Sequence, residues 1–295
     1  MRCTSGESEI LIQLPPTNSS FDGSNKLITN YSLVDIGVNL TSGQFKHDRA
    51  DVISRALAAN VTTLLVTGTD LASSQAANAL CEQNPANLWH TCGVHPHDAD
   101  SVTENTWQQI KELAKSDHVC AIGETGLDFN RNFSTPENQI TAFTAQLDIA
   151  VELQKPVFLH EREAFDTQYP LLKNYREKIC GGVVHCFTGN TDQLKCYLDL
   201  DFYIGITGWV CDPKRGSELY ELVKTIPSNR LLIETDAPYL MPKNIANSEL
   251  GDVRSRRNEP CLLPWVLETI CEARGNSYEE LAVATSNNAK RLFGL

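Results

Sequence analysis

The sequence predicts an α/β fold, a TIM-like (β/α)8 barrel, and three observations carry that expectation. From Leu33 onward, short apolar runs rich in β-branched residues alternate with longer amphipathic segments. That is the pattern of repeated βα units feeding a parallel sheet. Eight such runs follow one another over about 200 residues, the number and span a closed barrel needs. Chemistry-bearing polar residues fall where several of these runs end, and strand C-termini are where barrel active sites form.

In chain order, a strand expected at Leu33–Asn39 is followed by a helical segment over about 48–59, and one at Thr63–Gly68 by about 70–83. Leu88–His95 leads to a helix over about 103–115, and Val119–Glu124 to one over about 136–154. Val157–His160 precedes a helix over about 162–178, Gly182–His185 one over about 191–199, and Phe202–Gly208 one over about 216–225. The eighth strand is Leu231–Thr235, with a polar loop from Glu249 to Arg257 behind it. Asn258-Glu259-Pro260 has the cap, early acid and early proline of a helix start, and Tyr278–Leu292 reads as a final helix. A doubly wound open sheet is the structural rival, but it uses fewer strands for this length. Residues 1–31 are polar, carry Pro15 and Pro16 and lack sustained periodicity, so a flexible arm is expected there and a single barrel domain over 32–295.

Of the 295 residues 41% are hydrophobic and 21% charged, ordinary for a soluble chain able to bury a large core. The formal net charge of −12 argues against a protein that coats duplex nucleic acid through broad electrostatics. It leaves room for an enzyme that grips a few nucleotides with local cations, because a divalent ion outweighs nearby carboxylates. Ten cysteines are scattered without a C-x-x-C pair, so buried free thiols are expected rather than a thiolate metal site. No apolar stretch reaches 18 residues and no secretory signal opens the chain, so a cytoplasmic protein without a membrane partner is expected, as a monomer.

Glu124, His160, His185 and Asp236 each end or immediately follow an expected strand, and His95 and His97 follow another. A closed barrel brings those ends to one mouth. Two imidazoles and two carboxylates make a mixed ligand set that suits Zn, Mn or Fe, and Mg where water and substrate oxygens complete the shell. A Glu between two histidines can also bridge two ions. Taken alone, each His could be a satisfied strand-end histidine and each acid a helix cap, but independent capping does not predict four such residues at barrel strand ends. His95 and His97 could be ligands or touch substrate phosphate. Arg131, Arg162, Arg254, Arg256 and Arg257 lie on expected loops or helix starts near the mouth, where a guanidinium suits phosphate or simply faces water. Trp209 and Tyr239 could stack on bases or pack the rim. His47, His90 and His118 receive no role.

These stretches, from Leu33 to Leu295, closely resemble the TatD family of metal-dependent deoxyribonucleases. The resemblance rests on Asp35-Ile-Gly-Val-Asn-Leu-Thr-Ser42, Gly93-Val-His-Pro-His97, Ala121-Ile-Gly-Glu-Thr-Gly-Leu-Asp-Phe-Asn130 and His185-Cys-Phe-Thr-Gly189. It continues through Ile204-Gly-Ile-Thr-Gly-Trp-Val-Cys211, Glu234-Thr-Asp-Ala-Pro-Tyr-Leu240 and Arg257-Asn-Glu-Pro260. It implies a barrel hydrolase cutting DNA with divalent ions, Mg as the usual activator, often as a 3′-to-5′ exonuclease on single strands, with RNA an open second substrate. It also implies Glu124, His160 and His185 as ligands, Asp236 as a further ligand or water-activating base, and His95 near substrate phosphate. In the mechanism expected from this, Arg162 assists His95. Many members carry His-x-His at the end of strand one; here those positions are Gly37 and Asn39, which leaves one ion or two open. Two rival readings stand beside it: an amidohydrolase on the same fold, and a metal-holding barrel that acts as an interaction module.

Overall fold

The computed structural model describes residues 19–21, 27–253 and 257–295. Eight parallel strands run in sequence order around one sheet. They are β1 (Leu33–Val38), β2 (Val61–Val66), β3 (Leu88–Cys92) and β4 (Val119–Asp128), then β5 (Val157–Arg162), β6 (Gly182–Val184), β7 (Tyr203–Ile206) and β8 (Leu231–Ile233). The helices α1 (Arg49–Ala58), α2 (Leu71–Gln83), α3 (Glu104–Leu113) and α4 (Pro136–Leu153) alternate with the first strands. The helices α5 (Phe165–Tyr175), α6 (Thr191–Asp199) and α7 (Ser217–Leu222) follow, and α8 (Leu263–Arg274) and α9 (Tyr278–Phe293) end the chain.

The seam between β8 and β1 closes through the chain just past β8. Thr235 donates its backbone N–H to the Asp35 carboxylate at 2.9 Å, Asp236 N–H reaches Gly37 O at 2.9 Å, and Asn39 N–H reaches Ala237 O at 2.7 Å. The barrel is therefore nearly closed, which is what carries strand ends from both extremes of the chain to one mouth.

Strand alternation sorts the core into two clusters. Val34, Ile36, Leu65, Phe158, Val183, Tyr203 and Leu232 fill the barrel with Ala289 and Phe293 of α9. Their sequence neighbours, such as Leu33, Leu64, Val157, Leu159, Val184 and Leu231, meet the helical layer. The α9 helix closes the strands' N-terminal end, with Ser286 Oγ donating to Ser32 O at 2.8 Å and Asn288 Nδ2 to Ser228 O and Leu231 O at 2.8 and 2.9 Å. The opposite end is left open for the site.

Two expected boundaries are corrected. The strand expected to stop at Glu124 runs on to Asp128, because Gly126, Leu127 and Asp128 pair with His160, Glu161 and Arg162. For the same reason Arg162 belongs to β5 rather than to a helix, and α5 begins at Phe165. Within the segment expected as a flexible arm, Ser19–Phe21 and Leu27–Thr29 pair antiparallel, and most of that segment lies outside the described residues. Among the described residues Cys81, Cys92, Cys120, Cys211 and Cys271 are buried free thiols. No helix among the described residues is long and apolar enough to cross a membrane.

Candidate metal centre

Backbone hydrogen bonds fix where three of the functional side chains start. Glu124 N–H reaches Gly68 O at 2.7 Å, His185 N–H reaches Leu159 O at 2.9 Å, and His95 N–H reaches Thr69 O at 2.7 Å. From these anchors three imidazoles aim at one carboxylate oxygen. Glu124 Oε1 lies 2.8 Å from His185 Nε2, 3.0 Å from His160 Nδ1 and 3.4 Å from His95 Nε2. The candidate ligand atoms of His95, Glu124 and His160 all lie within 4.8 Å of one another.

Carboxylates and imidazoles then alternate outward from this hub. His160 Nε2 faces Asp128 Oδ2 at 3.3 Å, and the same oxygen takes His97 Nε2 at 2.8 Å. On the other side His185 Nδ1 faces Glu234 Oε2 at 3.4 Å, while Glu234 Oε1 accepts the Cys186 N–H at 2.5 Å. His95 differs, because its Nδ1 accepts the His97 backbone N–H at 3.1 Å. Asp236 stands beside the hub and receives Asn39 Nδ2 on Oδ1 at 3.0 Å.

The electrostatics follow from burial set against these pairings. Burial works to raise the Glu124 carboxyl, but the charges of His185 and His95 and hydrogen bonds from His160 and His185 hold it well below its usual value. Burial opposes protonation of His185, yet Glu124 and Glu234 raise it well above the ordinary imidazole value. His160 is raised by Asp128 and Glu124 against the same burial cost. His95 goes the other way: burial lowers it despite Glu124. Burial pushes Asp236 up to about 7, with the Glu124 and Glu234 charges adding to it and His185 and Asn39 opposing.

The first-strand positions have a structural explanation. A Cβ at Gly37 would collide with the Glu234 carboxylate and press on Phe158. Glu234 thus occupies the space a histidine there would need, and Asn39 is turned to Asp236.

The arginines divide. Arg162 is exposed at the end of β5, and no ion pair reaches it among the described residues. Arg131 is exposed beside Phe133, its guanidinium 6.0 Å from that ring. Arg254 and Arg256 lie outside the described residues. Arg257 is buried, with Nη1 and Nη2 on the Asp48 carboxylate at 2.9 and 2.7 Å and Nη2 on Glu259 at 2.5 Å, so it is committed to the scaffold. His90 is buried against Asn78 of α2, His118 packs on Trp89, and His47 is exposed outside the cluster.

The sequence reading missed three participants. Asp128 and Glu234 hold the far nitrogens of His160 and His185. Strand period two was the available signal, since Asp128 lies an even number of residues from Glu124 and Glu234 from Asp236. The third, Phe133, is 64% exposed and packs edge-on against His97 at 4.8 Å. No periodicity marks it.

Residues 34–294 match the family model described as TatD related DNase. The chain belongs to that family. As a TatD-family member it is a hydrolytic nuclease, and the family is metal-dependent. Among curated proteins, the "3'-5' ssDNA/RNA exonuclease TatD" of Escherichia fergusonii is 51% identical over 263 residues, covering 89% of this chain and 99% of the relative. The protein of the same name from Shigella flexneri serotype 5b is also 51% identical, with the same coverage. Among solved structures, a TatD-family hydrolase from Entamoeba histolytica superposes with a TM-score of 0.81 at 26% identity, covering 89% of this chain and 98% of its own. The TatD homolog YJJV from Escherichia coli K12 gives 0.80 at 27%, with the same coverage.

Proposed function

We propose that this TatD-family chain is a 3′-to-5′ exonuclease on single-stranded DNA, accepting RNA as a second substrate. In this reading one divalent ion sits at Glu124, with Mg the usual activator and Mn or Zn able to replace it. The names of the 51%-identical relatives support the substrate and polarity. The chemistry rests on one observation, the hydrogen bonding of the three imidazoles around Glu124.

A histidine that ligates a metal normally donates its other ring N–H to a carboxylate or carbonyl. His160 and His185 meet that condition through Asp128 and Glu234, which leaves Nδ1 and Nε2, respectively, to face Glu124. His95 does not. Its Nδ1 already accepts a hydrogen bond from the His97 N–H, so its neutral ring carries the hydrogen on Nε2. Glu124, His160 and His185 are therefore the ligands, and His95 is a donor aimed at a phosphate oxygen, although proximity alone would group it with the ligands. The donor set fits a cation on charge as well: Glu124, Asp128, Glu234 and Asp236 all surround the cluster. With Glu234 filling the space beside Gly37 and no histidine at residue 39, a single ion is the reading the first strand supports.

A bound divalent ion supplies Lewis-acid stabilisation of the scissile phosphate and a water of lowered pKa. Asp236, with Oδ1 steadied by Asn39, takes the proton of the attacking water on its other oxygen; as the water oxygen bonds to phosphorus the P–O bond to the 3′-oxygen of the remaining strand breaks, and that oxygen takes a proton from solvent. His95 donates Nε2–H to the phosphate, and exposed Arg162 meets the next phosphate along the strand. His97 is held by Asp128 and walls the site beside Phe133. We place the enzyme in the cytoplasm and as a monomer; light scattering on the purified chain checks the second, and fractionation of cells the first.

The test incubates metal-stripped protein with 3′- and 5′-labelled single strands, returning Mg, Mn or Zn separately, beside Glu124→Ala. Metal-restored release of mononucleotides from the 3′ end by the unmodified protein alone is expected. Retained metal-dependent cleavage in Glu124→Ala overturns the ligand assignment.

A further inference from the structure

A cavity of about 370 Å³ opens between the loops that follow β1, β7 and β8, lined by Gln44, Trp209, Asp212, Arg215, Tyr239 and Lys243 among others. It begins one turn beyond Asp236, whose carbonyl accepts the Tyr239 N–H at 2.9 Å. Tyr239 is 53% exposed, a large aromatic held at the lip of a polar site. Trp209 lines the same cavity, fixed by its own Nε1–H to Arg215 O at 3.2 Å, with the Arg215 guanidinium 4.5 Å over the ring. Asp212 is the one acid among these lining residues, and Arg215 Nε already holds it at 2.9 Å. Exposed Lys243 has no ion pair among the described residues, so the cavity carries a net positive charge.

One exposed aromatic face, one unpaired ammonium and a volume in the range of small-ligand clefts describe a seat for one nucleotide. We propose that this cavity binds a nucleotide flanking the scissile phosphate of a single strand, its base stacked on Tyr239 beside the Trp209–Arg215 pair and its own phosphate met by Lys243. The proposal rests on the nuclease reading of the Glu124–Asp236 centre and adds a substrate subsite to it. A stacking seat reads the face of a base rather than its edge, so it takes all four bases and excludes a base inside a duplex, which is stacked on both faces.

The test separates the subsite from the chemistry. Binding of a fluorescein-labelled eight-residue oligothymidylate to the Glu124→Ala protein is followed by anisotropy, with Tyr239→Ala and Tyr239→Phe added in that background. Tyr239→Ala should raise Kd about tenfold, and Tyr239→Phe, which keeps the stacking face, should stay within about twofold. An abasic residue at one of the two nucleotides flanking the cleaved bond should cost the same with Tyr239 present and nothing more in Tyr239→Ala. Lys243→Ala should reduce the slope of log Kd against log salt by about 0.7, the value of one single-strand phosphate contact. Equal binding by Tyr239→Ala, or abasic and Tyr239→Ala penalties that multiply, overturns the subsite. If the unmodified protein cleaves while Tyr239→Ala binds and cleaves as it does, the subsite falls and the nuclease stands. If no metal restores cleavage but Tyr239-dependent binding persists, the nuclease reading falls and the single-strand seat stands.

Discussion

Replacing Asp128 with Asn removes one charge and keeps the shape, and its effect can be worked out atom by atom. Asp128 is 1% exposed. Its Oδ1 accepts the backbone N–H groups of Asn130 and Arg131, both at 3.0 Å, while Oδ2 accepts His97 Nε2 and His160 Nε2 at 2.8 and 3.3 Å. In Asp128→Asn the oxygen stays with the two turn amides, so the new NH2 meets two imidazole N–H groups, donor against donor. His160 escapes by moving its proton to Nδ1, the nitrogen that faces Glu124, and there it blocks the lone pair a metal needs. Loss of such an outer carboxylate costs about 10- to 100-fold in metal affinity or activity, about 1.4–2.8 kcal/mol. Calorimetric titration of the metal-stripped variant with Mn, beside kcat/KM measured across metal concentration, reads this directly. Affinity should fall by that factor, and excess metal should restore part of the activity. His97→Ala, which removes only the outer partner, should change metal affinity less than threefold. Metal affinity within twofold of the unmodified protein, with activity lost and not restored by metal, would refute the reasoning.

Other expectations follow from the same geometry. Asp236 must be ionised to accept a proton, and burial raises it to about 7, while a bound cation can only favour its ionised form. The pH profile of kcat/KM should therefore rise toward a plateau with its inflection at or below about pH 7; a fall between pH 5 and 7.5 would remove Asp236 as base. Gly37→His forces a side chain into the space of Glu234, so it should lower stability by about 1–3 kcal/mol in a denaturant melt and leave metal content at one ion per chain. Two ions per chain in that variant would show that Glu234 yields its place. Glu259, fully buried, holds Arg55 at 2.8 and 3.1 Å and Arg257 at 2.5 Å. Glu259→Gln should cost about 3–5 kcal/mol, seen as a fall in melting temperature on the order of 10 °C.

Much of this architecture was legible in the order of residues. Alternation of β-rich runs with amphipathic segments needs no tertiary knowledge, because burial on both faces of a barrel strand demands short apolar runs, and β1, β4, β6, β7 and β8 are buried throughout. That Glu124, His160, His185 and Asp236 belong to four different strands or the residues just past them was equally visible, as was the absence of histidines at Gly37 and Asn39. Arg257 illustrates the limit. From sequence it is a cation near the mouth, and only the fold shows it closed between Asp48 and Glu259.

Sequence by itself determined the βα rhythm, the order of the strands and the residue types that meet at the mouth, since these depend on local periodicity and on one rule of barrel geometry. Tertiary structure alone decided how far β4 runs, because Gly126–Asp128 is a strand only by virtue of pairing with β5. It also decided which nitrogen of each histidine faces Glu124. That choice is made by Asp128 and Glu234 from other strands, and by the His97 N–H in the turn after His95, at distances of about 3 Å that no spacing along the chain encodes.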